Sequence, residues 1–193
     1  MIGLLLAAGT SSRLGEPKAL IQLGPKTLVE RSLQVLQAPF IDHVILVLGA
    51  EKDAIKNVIS HDNVEMMESK EWALGQGNTL SESMRALASR QEPILVMLVD
   101  TPFVQEKHIQ AIVKAHLANP SQVIISSFQG QSSPPVLIPF EHQHKLYDWK
   151  GDKGFGPFWK SHPDICQWIS FEEEYRDLDT AEDKKYWQEN WDK

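Results

Sequence analysis

The sequence predicts an α/β fold in three layers, a mainly parallel β-sheet with helices on both faces. Three observations carry this. Four short apolar runs, at residues 2–7, 43–49, 94–99 and 122–127, are Leu-rich or β-branched on both faces, as strands covered from both sides should be. Longer amphipathic stretches separate them, and right-handed crossovers make a parallel sheet the natural outcome of that alternation. A loop of small residues, from Gly9 to Lys18, follows the first run, where open parallel sheets bind their ligands.

The first run, "IGLLLA", has no basic residue before it and is short for the apolar region of a secretory signal, so it reads as a buried strand. "TLVERSLQVLQA" opens with Thr27 and Glu30 in capping-box spacing and repeats Leu28, Val29, Leu33 and Leu36 at helical intervals. "HVILVLG" is the second strand. Thr79 and Glu82 have capping-box spacing at the head of "TLSESMRALASR", which predicts a helix opening there. "ILVMLV" is the third strand, "QEKHIQAIVKAHLAN" the helix after it and "QVIISS" the fourth strand. Beyond about residue 128 the pattern loosens. "SSPPVLIPF" carries three prolines and reads as a loop or edge strand. "GDKGFGPF" is a turn-rich loop, "CQWISF" a last strand, and "TAEDKKYWQENW" a closing helix docked by Trp187 and Trp191. With no internal repeat or linker, 193 residues suit a single domain over 1–193.

Composition narrows the function. No run approaches the ~20 apolar residues of a membrane span. A net charge of −7 argues against nucleic acid as a partner. The single cysteine, Cys166, leaves neither an intrachain disulfide nor a cysteine-built zinc site, which favours the cytoplasm. His142 and His144 stand two apart and no H-E-x-x-H occurs, so no histidine metal site is expected. Any bound anion must meet a local cluster of donors.

Such a cluster begins in the first loop. Small residues leave backbone N–H groups accessible as an anion-binding nest, and Arg13 and Lys18 add charge-assisted bonds. The spacing, G-x5-G-x2-K with Ala19 after the lysine, is neither the P-loop pattern nor G-x-G-x-x-G. The loop is either shaped for phosphate or a solvated surface turn. Asp100 ends the third strand at the same sheet edge, as a Mg²⁺ ligand beside phosphates or as a turn residue before Pro102. In "RDLDTAED", Asp177 or Asp179 completes a metal site, unless Asp179 and Glu182 simply cap the last helix.

Together these segments resemble the MobA-like nucleotidyltransferase family, most closely its branch of molybdenum-cofactor cytidylyltransferases. The family's opening L-A-A-G-x-S-x-R-x-G-x-x-K stands here as "LAAGTSSRLGEPK", Leu6 to Lys18, matched at every fixed position. "WALGQGNTLSESM" is similar to the segment lining the family's nucleotide pocket. "VDTPFV" stands for G-D-x-P-φ-V, "PPVLI" for H-P-V-L-F, "GDKG" for G-D-x-G and "DLDTAED" for D-I-D-T-P-E-D.

The resemblance implies a GT-A-like nucleotide-diphospho-sugar transferase fold and a nucleotidyl transfer that releases pyrophosphate. It implies CTP as donor, the phosphate of molybdenum cofactor (molybdopterin) as acceptor, and a molybdoenzyme or its chaperone as recipient of the product. Leu6, Ala7, Ala8 and Gly9 would meet the base, with Gly75, Gly77 and Ser81 completing the nucleotide pocket. Arg13 and Lys18 would hold the phosphates and, with Asp100, form the catalytic set; Asp100 and Asp179 would hold Mg²⁺. Ala8 stands where relatives that transfer guanylate tend to have a second glycine, and its methyl favours a pyrimidine. Val99 replaces the usual glycine, Pro134 the usual histidine and Phe155-Gly156 the usual Ala-Arg, the last two in the half assigned to the acceptor. Two other readings remain open: another phosphorylated acceptor, such as a sugar phosphate or methylerythritol phosphate, and a non-catalytic protein that carries the pterin.

Overall fold

The computed structural model describes residues 1–11, 13–59 and 63–191. Strand β1 (Ile2–Ala7) leads through the small-residue loop to a two-stranded hairpin, β2 (Gln22–Leu23) and β3 (Lys26–Thr27). Then come α1 (Leu28–Leu36), β4 (His43–Leu48), the short α2 (Lys52–Lys56), β5 (Val64–Glu68), α3 (Gln76–Leu87), β6 (Ile94–Leu98) and α4 (Glu106–Ala118). The chain continues through β7 (Val123–Phe128), β8 (Gln131–Ile138), the short α5 (Phe140–Gln143), α6 (Gly156–Ser161), β9 (Cys166–Phe171) and α7 (Ala181–Asn190).

Seven strands form one sheet in the order β5-β4-β1-β6-β8-β7-β9. The β5-β4-β1-β6 pairs are parallel, as is β7-β9, while β8 runs antiparallel to both its neighbours. Side chains alternate across a strand, so β1 feeds two cores. Leu5 and Ala7 pack on one face with Leu33 of α1, Ile112 of α4 and Trp187 of α7. Leu4 and Leu6 pack on the other with Leu80 and Met84 of α3 and Trp159 of α6. These are the three expected layers.

Four expectations need correction. The Pro-rich segment is neither loop nor edge: β8 lies inside the sheet, between β6 and β7. Prolines are tolerated there because the register shifts. Val136 pairs with Ile125, but the next partners are Ser133 and Ser126, which leaves Pro134 and Pro135 without ladder partners. The Ser126 hydroxyl instead donates to the Pro135 carbonyl at 2.7 Å. Helix α3 opens at Gln76 behind Gly75, one turn before Thr79, whose hydroxyl donates back to the Gly75 carbonyl at 3.3 Å. Glu82 reaches away to accept from the Lys70 and Glu71 N–H groups, so the pair is no cap. The last helix is capped by Thr180 with Asp183, one residue later than the Asp179–Glu182 spacing suggests. Part of "GDKGFGPF" is helical, opening α6 with Pro157 in its first turn. The expected Thr27–Glu30 capping box is present, with Thr27 N–H donating to Glu30 at 2.7 Å.

Candidate active site

The loop after β1 is closed by its own serine. Ser11 accepts from the Lys18 N–H through its hydroxyl at 2.9 Å and from the Leu14 N–H through its carbonyl at 3.0 Å. Gly15 has φ of 75°, a left-handed conformation that glycine adopts without strain. Gly9 differs: no atom lies within 4 Å of a Cβ built there. Packing within the protein therefore does not demand glycine at this position, and the space left by the missing side chain belongs to the cleft that Gly9 lines.

That cleft, of about 480 Å³, unites the two ends of the candidate site. Val99 N–H donates to the Leu6 carbonyl at 3.1 Å, extending the β1–β6 ladder and placing Asp100 beside the start of the loop. The Asp100 carbonyl then accepts from Leu178 N–H at 2.9 Å, which brings Asp177 and Asp179 to the same wall. Lys18 donates to Asp100 at 3.2 Å and forms a second ion pair with Asp179. Arg13, largely exposed, pairs with Asp179 at 3.4 Å.

Charge in the cleft is tightly coupled. Burial alone would lower the Lys18 ammonium, but Asp100 and Asp179 outweigh it and hold the group above its ordinary value, so it stays cationic. Burial pushes Asp100 above the usual carboxylate range, against the pull of Lys18. Asp177 is pushed up to about 6, first by burial and then by the charge of Asp100, although Tyr175 O–H donates to it at 2.6 Å. Asp100 Oδ1 and Asp177 Oδ1 are buried without a hydrogen-bond partner. Two under-satisfied carboxylate oxygens, and an ammonium already bridging Asp100 and Asp179, make this a locus built for positive charge.

Of the expected nucleotide residues, Leu6, Ala7, Ala8, Gly9, Arg13 and Lys18 line the cleft. Gly75, Gly77 and Ser81 do not. Ser81 is fully buried, its hydroxyl within 2.8 Å of the carbonyls of Leu146 and Trp149. Gly75 and Gly77 receive the "GDKG" loop: Gly77 N–H donates to the Gly151 carbonyl at 2.9 Å, and Gly151 N–H donates to Asn78 at 2.7 Å. A Cβ on Gly77 would lie 2.6 Å from the Lys153 carbonyl, so the glycine permits this backbone approach. The segment's cleft-facing members are Trp72, Gln76 and Thr79. Sequence reasoning missed Tyr175, for which no motif gave a signal, and the closing role of Ser11, which the fixed serine of the opening motif could have suggested.

The mainly parallel α/β sheet thus brings a glycine loop, a lysine and convergent carboxylates to one cleft, and together with the family match over most of the chain this makes the protein a nucleotidyltransferase. The chain belongs to the MobA-like NTP transferase family, whose domain matches residues 3–165. It is 29% identical over 163 residues to purine catabolism protein PucB of Bacillus subtilis (strain 168), covering 80% of this chain and 78% of PucB. It is 30% identical over 136 residues to nicotine blue oxidoreductase of Paenarthrobacter nicotinovorans, covering 70% of this chain and 65% of that protein. Among solved structures, Rv0371c of Mycobacterium tuberculosis H37Rv in complex with manganese shares the fold, with a TM-score of 0.82 at 22% identity over 97% of each chain.

Proposed function

We propose that this chain is a Mg²⁺-dependent cytidylyltransferase that moves CMP from CTP to the phosphate of molybdopterin. The observation that carries the reading is the meeting of Lys18 with Asp100 and Asp179 beside the Gly9 loop. A triphosphate needs cations on its phosphates and a metal between phosphate and carboxylate, and this cleft offers both kinds of partner. The manganese bound by Rv0371c supports a divalent metal in this fold.

The residues present fit a hard cation. Asp100 and Asp179 would hold it, with Asp177 adding negative charge beside them. Among the described residues no group of three or more His, Cys, Asp or Glu is arranged as a metal site, which suits an ion that takes its remaining ligands from phosphate oxygens and water. Bound there, Mg²⁺ supplies Lewis-acid stabilisation of phosphate charge.

An oxygen of the acceptor phosphate attacks the α-phosphorus of CTP; the new P–O bond forms as the α–β bridge breaks, and pyrophosphate leaves. The attacking oxygen is already ionised at neutral pH, so the protein positions and neutralises rather than abstracting a proton. Lys18 and Arg13 stabilise the charge that builds on the departing β- and γ-phosphates, while the walls at Leu6 to Gly9 and Gln76 orient the nucleoside.

Pyrophosphate release from four nucleoside triphosphates, with and without molybdopterin, tests the reading. Release with CTP that depends on both Mg²⁺ and molybdopterin is the expected result. Release with another acceptor would replace the molybdopterin assignment. No release from any triphosphate, together with tight pterin binding, would make the protein a carrier and overturn the proposal.

A further inference from the structure

Trp72 lines the candidate cleft with a half-buried indole, yet among the described residues it packs into neither apolar core, unlike Trp149, Trp159, Trp187 and Trp191. Polar contacts to its backbone neighbours set its place instead. As the chain leaves β5, Ser69 N–H extends the ladder to the Leu48 carbonyl at 2.9 Å, and three residues of α3 then grip the next turn. Glu82 accepts from the Ser69 hydroxyl at 2.5 Å and from the Lys70 and Glu71 N–H groups at 3.0 and 3.1 Å. The Glu71 carboxylate in turn accepts from Asn78 at 3.2 Å and from Arg85 at 3.0 Å. Asn78, Glu82 and Arg85 stand at i, i+4 and i+7, on one face of the helix. On the far side of the indole, the Trp72 carbonyl accepts from Gly75 N–H at 3.2 Å. The turn is fixed at both ends, and the ring it carries faces the cleft.

We infer that Trp72 is the platform on which the base of the donor nucleotide stacks, and that Asn78, Glu82 and Arg85 are positioning residues that present it. The inference deepens the nucleotidyl-transfer reading and rests on it. The topology gives the direction. Lys18, Asp100 and Asp179 mark the phosphate end, where the chain leaves β6, whereas Trp72 follows β5. Strands β4 and β1 lie between these two, so the ends are three strand spacings apart, roughly 14 Å, which leaves room for a nucleoside between base and phosphates. Among the described residues the cleft has one other aromatic side chain, Tyr175, and its hydroxyl is turned to Asp177 at the phosphate end. A base at the opposite end therefore meets the Trp72 ring, which no core residue covers. Every base has a π-face, so this contact raises affinity for the nucleoside and leaves the choice among bases to groups that meet the base edge.

The test uses the full chain with Mg²⁺ and titrates a non-hydrolysable CTP analogue and inorganic tripolyphosphate by calorimetry. Trp72→Ala is expected to weaken the analogue by about tenfold or more, the usual effect of removing a base–aromatic stack, and to leave tripolyphosphate unchanged. Trp72→Phe is expected to keep most of the analogue's affinity. Glu82→Ala is expected to weaken the analogue several-fold, again without effect on tripolyphosphate, because the ring remains but is no longer held. Equal losses for the two ligands in Trp72→Ala, or no loss for either, overturn the inference, and wild-type affinity in Glu82→Ala overturns the positioning role. A wild-type chain that binds neither ligand overturns the nucleotidyl-transfer reading instead. Irradiating the wild-type chain with base-iodinated CTP gives a readout independent of any variant. Label at Trp72 supports the assignment, and label confined elsewhere overturns it.

Discussion

The Lys18 ammonium lies 3.2 Å from Asp100, although 82 residues separate them in the chain. One sits just past a loop that Ser11 closes, the other just past a central strand, and the parallel pairing of β1 with β6 makes them neighbours.

Lys18→Ala removes the cation proposed to hold phosphate, which is also the group that bridges Asp100 and Asp179. We expect kcat/KM for the triphosphate to fall by about 100-fold or more, the usual cost of one transition-state charge contact. Steady-state kinetics check this, and wild-type kinetics in Lys18→Ala would remove the residue from the mechanism.

Asp100→Asn keeps the shape of the side chain and removes its charge. Turnover that depends on divalent metal should drop by at least about 100-fold. The melting temperature should fall only modestly, because Lys18 keeps its pair with Asp179 and the lost carboxylate was buried with one oxygen unpartnered. A large loss of stability with activity retained would show that the carboxylate is structural.

Gly77→Ala places a methyl 2.6 Å from the Lys153 carbonyl, where backbone has to give way. The expected cost is about 1–3 kcal/mol, read by denaturant unfolding, together with a raised KM for the acceptor. An unchanged unfolding midpoint would mean that the 151–153 loop yields freely.

The share of stability owed to two buried histidines should decline as pH falls below the ordinary histidine range, against the opposite pull of Asp177 and Asp100, whose raised carboxyls favour the folded chain as they protonate. Burial lowers both His108 and His116 from 6.5, so the unfolded chain takes up their protons first. Their contribution is complete above about 6.5 and is lost progressively below it. His108 matters more directly, since its Nδ1 accepts from Gln105 N–H at 3.0 Å and a proton there would break that cap of α4. Melting curves between pH 5 and 7.5 on the wild type and a His108→Gln, His116→Leu variant decide it; identical slopes would refute the assignment.

The parallel half of the fold could be read from the sequence because buried strands there are continuous apolar runs, as in β1, β4 and β6. Strand β5, with Glu65 and Glu68 on the sheet edge, has no such run and escaped notice. β8 was hidden by its prolines, which signal strand-breaking only while the shifted register beneath them is unknown. In the cleft, Asp100 was legible because it follows an apolar strand parallel to the first, and Arg13 and Lys18 because the small-residue loop that carries them leaves the first strand at the same sheet edge. Gly75, Gly77 and Ser81 lie against the chain's own backbone and not on the cleft wall: small residues mark close approach, and composition does not say whether ligand or backbone approaches. Tyr175 needed a tertiary contact to reveal it, its hydroxyl turning back to Asp177.

The last helix is fastened to the first loop. Lys184 of α7 pairs with Glu16 across 168 residues, Trp191 packs against Gly24 of the hairpin turn, and the Arg31 guanidinium lies 3.7 Å over the Trp191 ring. Asp179, just upstream, grips Lys18 from the same end of the chain. During synthesis β1 emerges well before α7, so the loop after β1 lacks these fastenings until α7 has left the ribosome. A chain truncated before α7 would therefore leave that loop unanchored even where the strands pair.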